Sequence, residues 1–225
     1  MLDFPQRTCA FLQDLKDNND RNWFQANKNR YEDEWLDPAT AFVSAISAQM
    51  GTLAPPHKAV PKVNGSIRRL HRDTRFSKDK TPFDPKLHLV FWTGEHPNRS
   101  PAIHLVLHPD RLGFGAGLFA MVSEELDRFR ACLASNDSRA TKLTEVLNLL
   151  HDQGCALTAE TLKRIPQGIA VSPNLETLVK RKGLVARTPD TMLPPETICD
   201  QQRMGRFFDA AAQLNHWLAE NVALQ

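Results

Sequence analysis

The 225-residue chain has the composition of an ordinary folded protein, with 41% hydrophobic residues, 24% charged residues and a formal net charge of +2. Its longest apolar runs span only a few residues, which argues against a signal peptide and a membrane-spanning segment. The four cysteines, at positions 9, 132, 155 and 199, have neither disulfide-framework nor zinc-site spacing, so we expect reduced thiols and a cytoplasmic location. We expect one domain over residues 1–225.

The first third of the sequence has the apolar period of helices. Residues 7–17 predict a first helix, which Asn18-Asn19-Asp20 ends while also capping the next one. The second predicted helix covers residues 21–35 and carries an aromatic stripe suited to core packing. A third is predicted from Pro38, a favourable first-turn residue, to Gly51.

The middle third changes to the two-residue period of strands. Residues 87–92, 102–108 and 112–117 are short apolar segments separated by turn residues, as in an antiparallel meander. In the second segment Ile103, Leu105 and Leu107 are predicted to face the core.

The last part returns to helices, with two of them predicted from Ser123 and over residues 138–150. A short helix near Ala159, a helix opened by Ser172-Pro173, a strand over residues 184–187 and a final helix over residues 200–221 follow. The whole pattern predicts an α+β fold, with N-terminal and C-terminal helices packed against a central antiparallel sheet.

Positive charge is concentrated in residues 68–80, which we call the basic loop. The loop has six basic and two acidic side chains, a net charge of +4, so the rest of the chain is net negative. Guanidinium groups bind phosphate or carboxylate at two points, and lysines and hydroxyls supply further donors. The candidate ligand-binding residues are therefore Arg72, Arg75, Ser77, Lys78 and Lys80, with Asp73 and Asp79 in supporting roles.

Three interpretations of the basic loop remain open. The leading one is a binding module for a small anionic molecule or a phosphate group. Nucleic acid is a less favoured partner, because a near-neutral chain with one basic segment suits a locally contacted anion better than a long groove. The second interpretation is an enzyme acting on a phosphorylated or acidic metabolite, with Asp73, Asp79 or a sheet histidine moving a proton. The third is a structural clasp, in which the acidic and basic side chains of the loop pair with one another.

Other motifs give no catalytic or metal signature. Ser77 and Lys80 match Ser-x-x-Lys, but Pro82 interrupts any helix there and the companion motifs of serine acyl enzymes are absent from the sequence. Residues 113–117 are glycine-rich without the spacing of a dinucleotide or P-loop motif, so we expect a strand. His104 and His108 lie about 13 Å apart on a strand, too far to chelate one ion together. We expect no metal and no cofactor.

Four strings of the sequence together resemble a known family. They are Asn18-Asn19 to Trp23-Phe24, Arg72-Asp73-Thr74-Arg75-Phe76-Ser77-Lys78-Asp79-Lys80-Thr81-Pro82, Gly113 to Gly117, and Leu162-Lys163-Arg164-Ile165-Pro166-Gln167-Gly168. Over nearly the whole chain they resemble a widespread bacterial and fungal family of uncharacterised proteins, classed as a domain of unknown function and marked by an Arg-Asp-x-Arg-Phe-Ser-Lys-Asp-Lys-x-Pro motif. The resemblance implies a single α+β domain and no established activity. Phe83 and Gln167 stand where the family pattern has Tyr and Lys, so neither position is given a proton-transfer role.

Overall fold

The sheet at the centre of the fold is antiparallel, as the sequence predicts, and it has five strands. The computed structural model describes residues 4–135, 137–189 and 193–224. The strands are β1 (Leu87–Trp92), β2 (Ala102–Leu107), β3 (Leu112–Leu118), β4 (Ala156–Leu157) and β5 (Leu184–Arg187). Their order across the sheet is β1-β2-β3-β5-β4, so the predicted meander β1-β2-β3 is extended by two later strands.

The apolar alternation of β2 gives the sheet its core face. Ile103, Leu105 and Leu107 are each buried in the main hydrophobic core, as predicted. The glycine-rich segment is the strand β3. Within it Gly117 has φ +128°, and an added Cβ atom would stand 2.0 Å from the carbonyl oxygen of Leu184. Glycine is therefore required where β3 approaches β5.

Helices precede and follow the sheet. The N-terminal helices are α1 (Gln6–Asp17), α2 (Arg21–Ala26), α3 (Lys28–Arg30) and α4 (Asp37–Thr52), with a π-helical segment (Tyr31–Leu36) between α3 and α4. After the meander come α5 (Ser123–Ala134), α6 (Ser138–Asp152), α7 (Glu176–Val179) and α8 (Gln201–Asn221). A 3₁₀ turn (Pro173–Leu175) opens α7, at the start that Ser172-Pro173 predicts.

The predicted second helix differs from the structure, because it is interrupted at Asn27 and then continues through the π-helical segment into α4. Pro38, in the first turn of α4, has no N–H to donate to the carbonyl of Glu34, four residues earlier. The hydroxyl of Thr8 on α1 donates to that carbonyl instead, at 2.6 Å. The wide turn is thus stabilised by a contact from another helix.

The predicted short helix near Ala159 is wrong. Thr158 continues the strand pairing of β4, since its N–H donates to the carbonyl of Val185 at 3.0 Å. The amides of Thr161 and Leu162 both donate to the carbonyl of Lys180, at 3.1 and 2.9 Å. These hydrogen bonds to a distant segment satisfy the backbone N–H groups of Thr158, Thr161 and Leu162 without a helix.

The helices cover one face of the sheet. On that face α8 packs on β3, where the rings of Phe207 and Phe114 stack with centroids 4.3 Å apart. The opposite face has a smaller apolar cluster of Val90, Trp92 and Ala102, with Val60 packed against it. No helix among the described residues has the length and apolarity needed to cross a membrane.

Candidate functional site: a cationic cleft beside the basic hairpin

The basic loop belongs to an irregular hairpin of residues 70–84, which we call the basic hairpin. The segment before it runs along the outer edge of β1, where the amide of Arg68 donates to His88 and the amide of Val90 donates to Ser66. The hairpin is then closed at its base by bonds from Arg72 N–H to the Pro82 carbonyl and from Asp84 N–H to the Leu70 carbonyl, both 2.9 Å long. The sheet edge therefore positions the base of the hairpin.

Asn19 fastens the hairpin to the turn between α1 and α2. Its side-chain amide donates to the carbonyl of Phe83 at 3.0 Å, and its side-chain oxygen accepts from the N–H of Phe83 at 3.1 Å. The ring of Phe24 stacks on that of Phe83 with centroids 4.4 Å apart, and His71 packs edge-on against both rings. The first string of the family resemblance thus contacts Phe83, the residue that directly follows the second string, although the two segments are remote in sequence.

The tip of the hairpin, residues 73–79, is stabilised by charged groups of the hairpin itself. Arg75 makes a bidentate pair with Asp73, with Nε to Oδ1 at 3.0 Å and Nη2 to Oδ2 at 2.7 Å. Arg72 bonds through Nη1 to Asp79 and to the hydroxyl of Thr81, and Lys80 donates to a backbone carbonyl, that of Thr74, at 2.9 Å. The loop therefore has the internal pairing that the structural-clasp interpretation expects.

These pairs keep both acidic side chains of the tip anionic. The side-chain bond from Arg72, followed by bonds from the backbone and the hydroxyl of Thr81, lowers the pKa of Asp79 to about 2. The side-chain bond from Arg75, followed by its backbone N–H, lowers the pKa of Asp73. At neutral pH neither carboxylate carries a proton to donate.

A cleft of about 440 Å³ separates the start of α2 from the basic hairpin. Its lining includes three cationic side chains, those of Arg21, Arg72 and Lys80. The one carboxylate in the lining, that of Asp20, caps α2 by accepting from the backbone N–H groups of Asn22 and Trp23 at 2.8 and 2.9 Å. The remaining lining residues are Asn19, Asn22, His71, Thr74 and Pro82. The cleft is therefore cationic and lined mainly by polar side chains.

The sequence-predicted site residues divide between the cleft and the tip. Arg72 and Lys80 line the cleft, whereas Arg75, Ser77 and Lys78 lie on the tip outside its lining. Arg21 is the cleft cation that sequence reasoning missed. Its position just after a helix cap, inside a string of the family resemblance, was the available signal.

The titratable groups suggested for an enzyme are placed elsewhere. Asp73 and Asp79 are outside the cleft lining. On the sheet, His88 Nε2 and His104 Nδ1 share a hydrogen bond of 2.9 Å. Burial is the main cause that lowers the pKa of each to about 3, and the nearby Arg68 lowers both further. The histidine that does line the cleft is His71, which is not among the sequence-predicted site residues.

No metal centre is found among the described residues, where no group of three or more His, Cys, Asp and Glu side chains could hold an ion. All four cysteines are unpaired, and three of them, Cys9, Cys132 and Cys155, are buried.

Comparison with known proteins gives a family match. The family model described as "Conserved hypothetical protein (DUF2461)" matches residues 7–217. A comparison with curated proteins gives no match.

Proposed function

The chain belongs to this family of conserved hypothetical proteins. We propose that it is a cytoplasmic binding module for a phosphate- or carboxylate-bearing ligand. The observation that carries the proposal is the cleft beside the basic hairpin, where Arg21, Arg72 and Lys80 meet from two separate segments of the chain. The unpaired cysteines fit a reducing compartment.

Arg21 is the cleft cation with the most freedom to bind a ligand. It is exposed, and it makes no ion pair with any residue that the structure describes. A guanidinium without a carboxylate partner can offer two parallel N–H groups to a phosphate or carboxylate.

Arg72 supports the proposal in a different way. Its two side-chain bonds, to Asp79 and Thr81, both use Nη1. Its Nε and Nη2 have no hydrogen-bond partner among the described residues, so a fixed guanidinium can still donate to a ligand. Such preorganised donors lose little side-chain entropy on binding. The clasp within the hairpin and a ligand in the cleft are thus compatible.

The cleft also has a size and lining suited to a small ligand. Its volume lies within the usual range for small-molecule sites, which is about 300–1,000 Å³. The side chains of Asn22 and Thr74 can add neutral donors beside the cations. A small polar molecule with one anionic group fits this combination better than an apolar one.

The test is a thermal-shift titration with inorganic phosphate, sugar phosphates, nucleotides and dicarboxylates. Ligands that bind only the folded protein raise its melting temperature by mass action. We expect the wild type to be stabilised by at least one phosphate- or carboxylate-bearing probe, and Arg21→Gln to weaken that probe's affinity about tenfold, since a charge-assisted hydrogen bond contributes about 1.5–3 kcal/mol.

The matched control is Arg69→Gln. Arg69 is also exposed, lies in the basic loop but outside the cleft lining, and its loss changes the net charge equally. We expect it to leave the affinity unchanged within about twofold. Equal losses of affinity in Arg21→Gln and Arg69→Gln would mean that the positive charge acts at long range. The proposal would be refuted if no probe stabilised the wild type.

A further inference from the structure

The phenyl ring of Phe76 is exposed to solvent and takes no part in the packing of the hydrophobic core. It is 95% exposed, whereas the next most exposed large hydrophobic residue in the described part of the chain, Phe119, is 62% exposed and packs against His104. Leaving a phenylalanine in water forgoes the stabilisation that its burial would bring. A single exposed ring needs no special account, but this one lies beside the cationic cleft.

The turn that carries Phe76 begins at the cleft. Thr74 lines the cleft, and its carbonyl accepts from the N–H of Ser77 at 3.4 Å, which places Phe76 inside a tight turn. The Cα atoms at the two ends of such a turn are less than about 7 Å apart. The exposed ring is therefore within one turn of the cleft wall.

Arg75 supports the ring from one side. Its guanidinium carbon lies 5.8 Å from the centroid of the Phe76 ring, and the same guanidinium is fixed by the bidentate pair with Asp73. The ring thus contacts a guanidinium that is paired with a carboxylate, while its large exposure leaves it open for stacking. Lys78, two residues further on, is exposed and makes no ion pair with a described residue.

The surface of the cleft and the hairpin therefore carries the cations of the cleft, then the ring of Phe76, and then the cation of Lys78. We propose that the cleft and the tip together bind a short stretch of single-stranded nucleic acid, with one phosphate in the cleft, a base stacked on Phe76 and the next phosphate near Lys78. This inference rests on the proposed function, because it extends the anion of the cleft to a phosphodiester. Base stacking on an aromatic side chain needs only one ring and tolerates any base.

The same features fit an anionic membrane surface less well. A single phenylalanine gives little anchoring, since stable attachment to a membrane takes more than one such signal. The cations of the cleft also line a concave site, which a chain of phosphates can enter and a flat surface cannot. The near-neutral charge of the whole protein agrees with contact to only a few nucleotides.

The experiment measures binding of a fluorescent thymidine oligonucleotide, together with thermal shifts by inorganic phosphate, for the wild type, Phe76→Ala and Arg21→Gln. We expect Phe76→Ala to weaken oligonucleotide binding about tenfold and leave the phosphate effect unchanged, because only stacking is lost. Arg21→Gln should weaken both. The logarithm of the oligonucleotide affinity should fall with the logarithm of salt concentration with a slope of about −1.4, as expected for the two phosphates that the cleft and Lys78 bind.

Phe119→Ala is the control, since it removes another exposed phenylalanine, one that packs against His104 on β2 and lies outside the cleft lining, and it should bind the oligonucleotide like the wild type. Two results would overturn this inference and leave the proposed function standing, provided that Arg21→Gln loses the stabilisation by phosphate. The first is that the wild type does not bind the oligonucleotide. The second is that Phe76→Ala binds it as tightly as the wild type. Absence of oligonucleotide binding, together with no stabilisation of the wild type by any phosphate- or carboxylate-bearing probe of the thermal-shift panel, would overturn both. Binding of phosphatidylserine vesicles through Phe76, without oligonucleotide binding, would assign the tip to a membrane surface instead.

Discussion

His57 is a buried histidine whose ring is satisfied only in its neutral form. Nδ1 lies 2.8 Å from the carbonyl of Pro55, and Nε2 lies 2.8 Å from the side-chain nitrogen of Asn215 on α8. The carbonyl requires a proton on Nδ1, and the amide N–H requires a lone pair on Nε2. Burial lowers the pKa of His57 to about 4, partly offset by the bond to Pro55.

This arrangement predicts sensitivity to mild acid. In the unfolded chain a histidine has a pKa near 6.5, so the stabilisation is complete above about pH 6.5 and is lost as the pH falls toward about 4. We expect His57→Gln, which cannot titrate, to reduce the slope of unfolding free energy against pH by up to about 1.4 kcal/mol per pH unit in that interval. Urea unfolding of both proteins at several pH values measures the slopes. Parallel curves would show that His57 does not titrate differently in the two states.

At the scale of elements, the charged side chains at the tip of the basic hairpin could serve to stabilise the hairpin, as a structural clasp, or to bind a ligand. The Arg75–Asp73 pair is exposed, with 77% and 38% of the two side chains accessible to solvent. Exposed pairs contribute little to stability because water screens them. The base of the hairpin has less exposed contacts, because Asn19 and Phe24 contact Phe83 there.

We therefore expect Arg75→Ala to lower the melting temperature by about 2 °C or less and to keep the stabilisation by inorganic phosphate. The chain has a control in Arg139, which pairs with the aspartate two residues before it, Asp137, at the start of α6. Its Nε donates to both carboxylate oxygens and its Nη2 donates to Oδ2. Arg139→Ala should lower the melting temperature by a similar amount. The structural-clasp interpretation would be favoured if Arg75→Ala lowered the melting temperature much more than Arg139→Ala and if phosphate stabilised neither the wild type nor Arg75→Ala.

The elements themselves were predictable where their signals are local. The alternation of Ile103, Leu105 and Leu107 identified β2 and its core face, and the helical period identified α1 and α8. The cleft was not predictable in this way, because it depends on Asn19 bonding to Phe83, 64 residues away. The basic loop was visible as a charge pattern, but only the fold separates the cations that line the cleft from those on the tip.

At the scale of the whole molecule, one hydrophobic core joins the N-terminal helices, the sheet and the C-terminal helix. Its buried members include Phe11 on α1, Phe91 on β1 and Phe207 on α8. The cleft lies between an N-terminal helix and a hairpin attached to the sheet edge, so its shape depends on this shared packing. Local opening of the N-terminal helices would therefore disrupt the cleft.

The shared core predicts that the chain unfolds as one cooperative unit, as expected for a single domain. Four tryptophans report on different regions, namely Trp23 on α2, Trp35 in the π-helical segment, Trp92 on β1 and Trp217 on α8. We expect tryptophan fluorescence and far-ultraviolet circular dichroism to give coincident urea transitions. Single-tryptophan variants, each keeping one of Trp35, Trp92 and Trp217 with the others changed to Phe, should show midpoints that match the circular dichroism of the same variant. An earlier midpoint for Trp35 alone would mean that the N-terminal helices form a separate unit, and that the cleft opens before the sheet unfolds.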